Sequence, residues 1–257
     1  MPESLHVHLL PALVAPEALA GRTAVVIDVL RATTTIVTAL ASGAAEVIPC
    51  LEVEDARRRA AELPGECILG GERGGLRIEG FALGNSPAEY RPDVVGGKRV
   101  VFTTTNGTRA MLHCRQALRV LVAAWVNFSS LCQLLAQERH VDIVCAGTDG
   151  QVTREDTLLA GAIVDDLMKS GGEVRGHVGR KPEIVLNDQA EIACDAWRAA
   201  VGQMTGQSLL TSQMRRSLGG RNLIEIGQEN DIELAAQIDH YDLIAELDLQ
   251  AWSIRRR

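Results

Sequence analysis

The 257-residue sequence has few aromatic side chains, no excess of positive charge and no long apolar run. Aromatic residues make up 3% of the chain and the formal net charge is −7, so neither a base-stacking platform nor a basic surface for nucleic acid is predicted. A transmembrane helix needs about 18 or more apolar residues in a row, and the N-terminus lacks the pattern of a signal peptide. We therefore expect a cytoplasmic protein that binds neither nucleic acid nor a membrane.

The cysteines are scattered singly, and no two of them form a Cys-x-x-Cys pair. The six residues are Cys50, Cys67, Cys114, Cys132, Cys145 and Cys194. This spacing argues against a zinc site and against a disulfide framework. We interpret the cysteines as small apolar residues of a protein in a reducing compartment.

Apolar runs alternate with helical patterns along the first two thirds of the chain. The predicted strands are residues 25–28, 46–50, 67–69, 98–102, 119–123 and 141–146. The predicted helices between them are residues 33–42, 54–63, 108–115, 129–138 and 155–169. Because the strand runs are continuously apolar, they predict a mainly parallel sheet covered by helices on both faces, that is, a three-layer α/β/α fold.

The rest of the chain is predicted to be rich in helices. Helical patterns cover residues 183–204, 208–218 and 231–240, and a short apolar element follows at 243–247. Residues 70–97 form one long irregular stretch, and connections beyond about 12–15 residues in a compact domain are usually functional or disordered. Apolar Phe81 and Leu83 argue against disorder there. No low-complexity linker divides the chain, so we expect a single domain over residues 1–257, and a homo-oligomer is left open.

The polar residues after the predicted strand 98–102 are the densest candidate for a ligand site. They are Thr103, Thr104, Thr105, Asn106, Gly107 and Thr108. Free N–H groups and a partial positive charge at a helix start favour phosphate, and glycine lets a backbone approach a ligand closely. The alternative is that these residues only cap the helix. One capping side chain is sufficient for a helix, so most of the run would then have no role.

A second candidate follows the predicted strand 25–28. Asp28 ends that strand, Arg31 comes three residues later, and Thr33 begins a run of threonines. Ligands of open α/β sheets bind outside the carboxyl ends of the strands, where Asp28 would lie. Arg31 could clamp an anion through its planar fork of donors. The alternative is an Asp28–Arg31 ion pair in a loop, with Thr33 as a helix cap.

A third candidate follows the predicted strand 141–146. Asp149, Glu155 and Asp156 lie within eight residues, and Mg²⁺ in proteins takes one or two carboxylates together with water and phosphate oxygens. The alternative is a capping box, because Thr153 precedes Asp156 by three residues.

Further candidates lie in glycine-rich turns. Glu72 and Arg73 lie between glycine pairs, Asn85 and Ser86 precede a proline, and Arg221 follows two glycines. A solvated turn explains the first pair equally well, a helix start the second, and a solvated loop charge explains Arg221.

Taken together, these motifs resemble the 2-phosphosulfolactate phosphatase family, in the same order over roughly residues 5 to 247. The segments that carry the resemblance are residues 28–35, 70–73, 80–87, 103–108 and 145–147 followed by Glu155-Asp156. The resemblance implies a Mg²⁺-dependent acid phosphatase of coenzyme M biosynthesis, which converts 2-phospho-3-sulfolactate to 3-sulfolactate and phosphate, and a three-layer α/β/α fold. Ala82 occupies a position where the family motif more usually has aspartate, so a carboxylate with a role in relatives would be missing here.

We therefore predict an enzyme that hydrolyses a small acidic phosphate monoester with Mg²⁺ as cofactor. The predicted catalytic residues are Asp28, Arg31, Glu72, Arg73 and Asp149, and the predicted metal ligands are Asp28, Glu155 and Asp156. The predicted substrate-binding residues are Thr33, Asn85, Ser86, Thr103, Thr104, Thr105, Asn106, Gly107 and Arg221. The alternatives are a phosphatase of a related phospho-acid and a non-catalytic binder of an acidic metabolite.

The predicted reaction uses metal-activated water rather than an aspartyl-phosphate intermediate. Asp28 after a strand, with Thr33 five residues later, is similar to the nucleophilic aspartate of haloacid-dehalogenase-type phosphatases. Those enzymes carry a second aspartate two residues on, where this chain has Leu30. A nucleotide enzyme is disfavoured. Neither of the glycine motifs that bind nucleotide phosphates, Gly-x-x-x-x-Gly-Lys-Ser/Thr and Gly-x-Gly-x-x-Gly, follows a predicted strand.

Overall fold

The computed structural model describes residues 1–170, 184–201 and 207–257. Its strands are β1 (Ser4–His8), β2 (Thr23–Ile27), β3 (Glu46–Cys50), β4 (Cys67–Arg73), β5 (Leu76–Arg77), β6 (Arg99–Thr103), β7 (Arg119–Ala123), β8 (His140–Cys145), β9 (Val185–Leu186), β10 (Ala245–Asp248) and β11 (Ser253–Arg256). Its helices are α1 (Ala32–Ala41), α2 (Val53–Glu62), α3 (Pro92–Val95), α4 (Asn106–His113), α5 (Phe128–Leu135), α6 (Arg154–Ser170), α7 (Asp188–Val201), α8 (Gln207–Arg215), α9 (Leu218–Glu225) and α10 (Asn230–Ala235). The predicted α/β class is confirmed.

The eleven strands of the described residues form one sheet, in the order β5-β4-β6-β3-β11-β10-β7-β2-β8-β1-β9. One group of parallel strands consists of β4, β6 and β3, and a second group consists of β7, β2, β8, β1 and β9. The hairpin of β10 and β11 lies between the groups and pairs antiparallel with both. The sheet is thus mainly parallel, as predicted, with an antiparallel insertion at its centre.

Four strands, β1, β5, β9 and β11, are absent from the sequence-based prediction, and β5 and β9 are only two residues long. In β1 only Leu5 and Val7 are apolar, and both belong to the core. The polar residues that alternate with them point to the opposite face of the sheet. In β11 only Ile254 belongs to the core, and the following Arg255 forms an ion pair of 2.7 Å with Glu46. Patterns this short are too weak to predict a strand without its partners.

Helices cover both faces of the sheet. Val25 and Ile27 of β2 pack in the core that α5, α6 and α7 cover, whereas Ala24 and Val26 pack in the core that α1 and α4 cover. In the other parallel group, α2 covers a third, smaller core around Ile48. This alternation follows from the two-residue period of a strand.

Helix α1 is buried on nearly all sides, although its sequence is rich in threonine. The hydroxyl groups of Thr33, Thr34 and Thr35 donate to the backbone carbonyls of Asp28, Val29 and Asn85, respectively, and each of these hydrogen bonds is 2.8 Å long. A buried hydroxyl without a partner is costly, so these hydrogen bonds explain how a threonine-rich helix occupies the interior.

Residues 70–97 are more regular than predicted. β4 continues to Arg73 and turns into β5, and α3 follows after a short 3₁₀ turn at Pro87–Glu89. A Cβ at Gly71 would lie 2.0 Å from the carbonyl oxygen of Thr103 in β6. The glycines that made this stretch look irregular therefore permit a close approach of two strands.

The C-terminal helices differ from the predicted ranges. The predicted helix 208–218 ends early as α8, and Ser217 caps a separate helix, α9, by accepting a hydrogen bond from the N–H of Gly220 (3.0 Å). The helix predicted at 183–204 is α7, preceded by β9, and residues 183 and 202–204 lie outside the described residues. The helix predicted at 231–240 is the shorter α10.

All six cysteines are free thiols, four of them buried. None of the helices in the described ranges is long and apolar enough to cross a membrane.

Candidate active site

A cavity of about 340 Å³ opens at the carboxyl ends of β2, β4, β6 and β8. Of the predicted site residues, its wall contains Asp28, Arg31, Glu72, Asn85, Thr104, Thr105, Asn106 and Asp149. The other predicted site residues lie outside the wall: Thr33, Arg73, Ser86, Thr103, Gly107, Glu155, Asp156 and Arg221. Both parallel groups thus contribute to one site at the edge where α/β sheets bind ligands.

The first turns of α1 and α4 meet beside this cavity, and Gly107 makes the contact possible. A Cβ at position 107 would lie 2.6 Å from the Cβ of Ala32 and 2.8 Å from Oδ2 of Asp28. The backbone of Gly107 lies close enough to the Asp28 carboxylate to lower its pKa. Gly107 therefore provides room for Asp28 and α1, whereas the sequence predicted room for a ligand.

Asp28 is buried, and its carboxylate is held by backbone donors. Oδ1 accepts a hydrogen bond from the N–H of Ala32 (3.2 Å). Burial raises the pKa of Asp28 to about 7, and the nearby charges of Glu72 and Glu155 raise it further against the effect of the backbone donors. Asp28 and Arg31 form no ion pair, so the alternative in which they neutralise each other is wrong.

Glu72 at the end of β4 links two segments of the cavity wall. Its Oε1 accepts from the N–H of Thr105 (3.0 Å) and its Oε2 from the N–H of Gly75 (2.8 Å). Only 8% of Glu72 is exposed. Its carboxylate thereby fixes the β4–β5 turn against the start of α4.

Asp156 and Glu155 begin α6 and are both buried. The oxygens of Asp156 accept from the N–H groups of Val29 (2.9 Å) and Gly147 (3.0 Å), so this side chain ties together the loops after β2 and β8. It does not act as the capping partner of Thr153, whose hydroxyl has no partner among the described residues. Burial raises the pKa of Asp156 well above its usual range, and the charge of Glu155 adds to the rise.

Glu155 faces the first turn of α9. A Cβ at Gly219 would lie 2.2 Å from Oε1 of Glu155, so only glycine allows this approach. Oε2 of Glu155 is buried and has no hydrogen-bond partner among the described residues. Burial also raises the pKa of Glu155, against the effect of donors at the start of α9.

The threonine-rich turn after β6 divides into two parts. Thr104 caps α4, since its hydroxyl lies 3.1 Å from that of Thr108 and accepts from the N–H of Thr108 (3.3 Å). Thr105 and Asn106 are half-buried in the wall of the cavity. The hydroxyl of Thr103 is fully buried without a partner in the described structure. The turn thus combines a hydrogen bond of cap type at Thr104 with residues that line the cavity, and its role in ligand binding stays a prediction.

Three predicted anion-binding residues are engaged elsewhere. Thr33 exchanges hydrogen bonds with the backbone of Asp28, at 3.1 and 2.8 Å, and shapes the turn behind the wall. Arg73 donates to the backbone carbonyls of Glu72 and Leu51. The exposed Arg221 donates to the carbonyl of Arg216, in the turn before α9. As these side chains lie, none of them reaches the cavity wall.

Several wall residues were not predicted from the sequence. They are Leu30, Gly74, Gly75, Thr148, Gly219, Asn222, Leu223, Glu225 and Ile226. Five of them belong to α9 or the residue after it, which covers the cavity from the C-terminal part of the chain. Gly219 is the one local signal for this contact, because it permits the approach to Glu155.

A second cluster of titratable side chains lies on β1 and β8. Among the described residues, only His6, His8 and Asp142 bring three atoms of metal-ligating type within 4.8 Å of one another. Arg22 pairs with Asp142 and lies 3.4 Å from Nδ1 of His6. A guanidinium thus already supplies the positive charge that a metal would bring, and we interpret this cluster as a structural ion pair.

Comparison with known proteins gives one consistent family. A family model described as 2-phosphosulpholactate phosphatase matches residues 8–250. A relative from Symbiobacterium thermophilum is 41% identical over 224 residues, which are 86% of this chain and 89% of the relative. A relative from Deinococcus radiodurans is 40% identical over 239 residues (90% and 92%), and one from Thermotoga maritima is 38% identical over 227 residues (88% and 89%). Each of the three is named a probable 2-phosphosulfolactate phosphatase.

Proposed function

The chain belongs to the 2-phosphosulpholactate phosphatase family, and from this premise we propose that it hydrolyses 2-phospho-3-sulfolactate to 3-sulfolactate and phosphate in a Mg²⁺-dependent reaction. The observation that carries the metal dependence is a set of buried carboxylates without a cation. Asp28, Glu72, Glu155 and Asp156 are each at most 8% exposed, and none of them forms an ion pair within the described ranges.

The charge of the cavity wall supports the need for a bound cation. Asp28, Glu72, Asp149 and Glu225 contribute carboxylates to the wall, whereas Arg31 is its one cationic side chain among the described residues. A substrate with phosphate, sulfonate and carboxylate groups is strongly anionic and would be repelled by such a wall. A divalent cation would reverse the sign of this interaction.

The donor atoms present fit Mg²⁺. Mg²⁺ prefers oxygen ligands and usually retains water while binding one or two carboxylates. Asp28 and Glu72 face the cavity, and Glu155 next to them has an oxygen that no described residue binds. We propose that one or two of Asp28, Glu72 and Glu155 would hold the ion, because the oxygens of all three do not lie within 4.8 Å of one another. Water and substrate oxygens would complete its coordination. Asp156 would position the two loops around it, because both of its oxygens accept backbone hydrogen bonds.

The bound Mg²⁺ would supply charge neutralisation to the phosphoryl oxygens and an activated water. The chain itself would orient the substrate. The start of α4 presents Thr105, Asn106 and the positive end of the helix dipole to the cavity, which suits the phosphoryl group. Arg31 would bind a second acidic group.

The test is phosphate release by the purified protein from 2-phospho-3-sulfolactate, with Mg²⁺ and with EDTA. We expect release with Mg²⁺ and its loss with EDTA. A panel of small acidic phosphate monoesters would show whether a related phospho-acid is preferred. Tight binding of the phosphorylated acid without turnover of any of these compounds would replace the proposal with a non-catalytic binder.

The same preparation distinguishes the two reaction types. Hydrolysis by activated water leaves no covalent trace, whereas an aspartyl-phosphate intermediate would add phosphate to Asp28. We expect acid-quenched samples taken during turnover to contain no phosphorylated Asp28 by mass spectrometry. A stoichiometric phosphoryl adduct there would establish the covalent route.

A further inference from the structure

Arg31 occupies an unusual position for a cationic side chain, because it is buried in a cavity wall that is rich in carboxylates. Only 4% of Arg31 is exposed. Asp28 and Glu72 lie in the same wall, yet its guanidinium pairs with neither of them. Its partner is Asp231, 200 residues away in the sequence and 2.6 Å away in space.

The contacts of the guanidinium fix its orientation. Nη1 donates to Oδ2 of Asp231 (2.6 Å) and to Oε1 of Gln228 (2.6 Å), and Nη2 donates to the carbonyl of Gly75 (2.7 Å). A guanidinium has five N–H donors, so Nε–H and one Nη2–H have no partner among the described residues. These two donors are available to an anion in the cavity.

Asp231 is itself held at both carboxylate oxygens. It is 3% exposed, its Oδ2 accepts from Arg31, and its Oδ1 accepts from the hydroxyl of Ser86 (2.5 Å). The neighbouring Asn85 lies in the cavity wall. Asp231 therefore links α10 to the loop before the 3₁₀ turn and to Arg31, with one hydrogen bond at each carboxylate oxygen.

Without Asp231, Arg31 could form an ion pair with another carboxylate of the cavity wall. A charge-assisted hydrogen bond to an arginine is strong, and Asp28 and Glu72 are unpaired carboxylates of the same wall. An arginine released towards them would neutralise the charges that we assign to the metal and would occupy the space for the substrate. The Asp231 pair prevents that collapse.

We infer that Asp231 is a positioning residue, which holds Arg31 away from the unpaired carboxylates and directs its free donors at the anionic substrate. The inference rests on the proposed function, because it assigns Arg31 to substrate and the carboxylates to Mg²⁺. It explains why a buried arginine and a group of buried carboxylates stay separate within one cavity.

The test is Asp231→Asn, which keeps the shape of the side chain and removes its charge. We expect kcat/KM for 2-phospho-3-sulfolactate to fall roughly 10- to 100-fold, as for the loss of one charge-assisted contact. We also expect weaker Mg²⁺ binding by calorimetry in the absence of substrate. Asp165→Asn is the matched control, since Asp165 is another buried carboxylate paired with an arginine, Arg198, but lies outside the cavity wall. It should lower Tm without changing either constant.

A double-variant cycle separates positioning from stability. If Asp231 acts through Arg31, Asp231→Asn should add little to the loss already caused by Arg31→Ala. Should Asp231→Asn fail to fold, Ser86→Ala removes only the hydroxyl that braces Asp231, and we expect a several-fold loss of kcat/KM from it.

A lower Tm with wild-type kcat/KM and wild-type Mg²⁺ binding in Asp231→Asn would overturn the inference. The same holds for additive losses in the cycle. A wild-type protein that releases no phosphate would instead remove the proposed function, and this is measured first.

Discussion

Two kinds of buried carboxylate in this protein contrast in how their charge is balanced. The first kind is paired with arginine and comprises Glu46, Asp142, Asp165 and Asp231. The second kind comprises Asp28, Glu72, Glu155 and Asp156, which have backbone N–H donors but no cationic partner among the described residues. All eight are largely removed from water.

The pKa values of Asp142 and Asp28, one residue of each kind, shift in opposite directions. Burial alone would raise the pKa of Asp142, but hydrogen bonds and charge from His8 and Arg22 hold it below its usual range. Burial raises the pKa of Asp28 to about 7, and neighbouring carboxylates add to that rise. The first arrangement stabilises an ionised group, whereas the second leaves a group whose charge is poorly satisfied.

The unpaired carboxylates mark the part of the protein where burial lowers the stability of the folded state. An unpaired buried charge costs several kcal/mol, and such a cost at four neighbouring positions is expected only where a ligand balances it. The paired carboxylates connect β-strands and helices, while the unpaired ones lie at strand ends or helix starts around the cavity. Under the proposed function, the unpaired carboxylates serve the metal and the paired ones stabilise the fold, apart from Asp231, whose partner Arg31 lies in the cavity wall.

Replacing one residue of each kind should have opposite effects. We expect Asp28→Asn to lower kcat/KM by on the order of 1,000-fold while Tm stays the same or rises, because an unpaired buried charge is removed. We expect Asp142→Asn to lower the free energy of unfolding by about 3 kcal/mol, because Arg22 loses its buried partner.

Kinetics and thermal unfolding of both variants, measured side by side, test this contrast. Turnover per folded molecule of Asp142→Asn should stay within about twofold of the wild type, since surface and structural positions affect the active site little. An active but unstable Asp28→Asn protein would contradict the division into two kinds.

The sequence was sufficient to locate most of this edge of the sheet. Asp28 and Asn106 follow strands and Glu72 lies near the end of β4, and ligands of open α/β sheets bind outside the carboxyl ends of the strands. Family membership confirms the prediction of a phosphatase. The local pattern is informative here because strand ends and helix starts are encoded by neighbouring residues.

The pairing of charges could not be predicted in the same way. The sequence offered an ion pair between Arg31 and Asp28, three residues apart, as one alternative, but the partner of Arg31 is Asp231. The central position of β10 and β11 is likewise a matter of contacts across the whole chain. Such contacts depend on tertiary packing, and the periodicity and local propensity of a sequence carry no information about it.

Substitutions at two buried glycines, Gly107 and Gly161, distinguish an effect on turnover from an effect on stability alone. We expect Gly107→Ala to lower kcat/KM at least about 100-fold, because displacing reacting groups by about 1 Å has effects of that size. The added Cβ would press on Ala32 and Asp28 and should also lower Tm.

Gly161→Ala is the matched control for this substitution. Its Cβ would lie 2.0 Å from the carbonyl oxygen of Ala193, between α6 and α7 and outside the cavity wall. It should lower Tm with nearly unchanged kcat/KM per folded molecule. Wild-type turnover in Gly107→Ala would place the reacting groups away from the start of α4.

The smallest effect is expected at Ala82, where the family motif more usually has aspartate. Ala82 is exposed and lies outside the cavity wall, and its backbone N–H donates to the carbonyl of Leu69 (3.1 Å). A carboxylate added there would face solvent and would not join the unpaired group around Asp28. We therefore expect Ala82→Asp to change kcat/KM by less than about twofold and the free energy of unfolding by less than about 0.5 kcal/mol.

Ala82→Asn separates the effect of charge from that of shape. A tenfold gain in Ala82→Asp, absent from Ala82→Asn, would mean that this loop reaches the substrate during turnover and that its carboxylate takes part in the reaction.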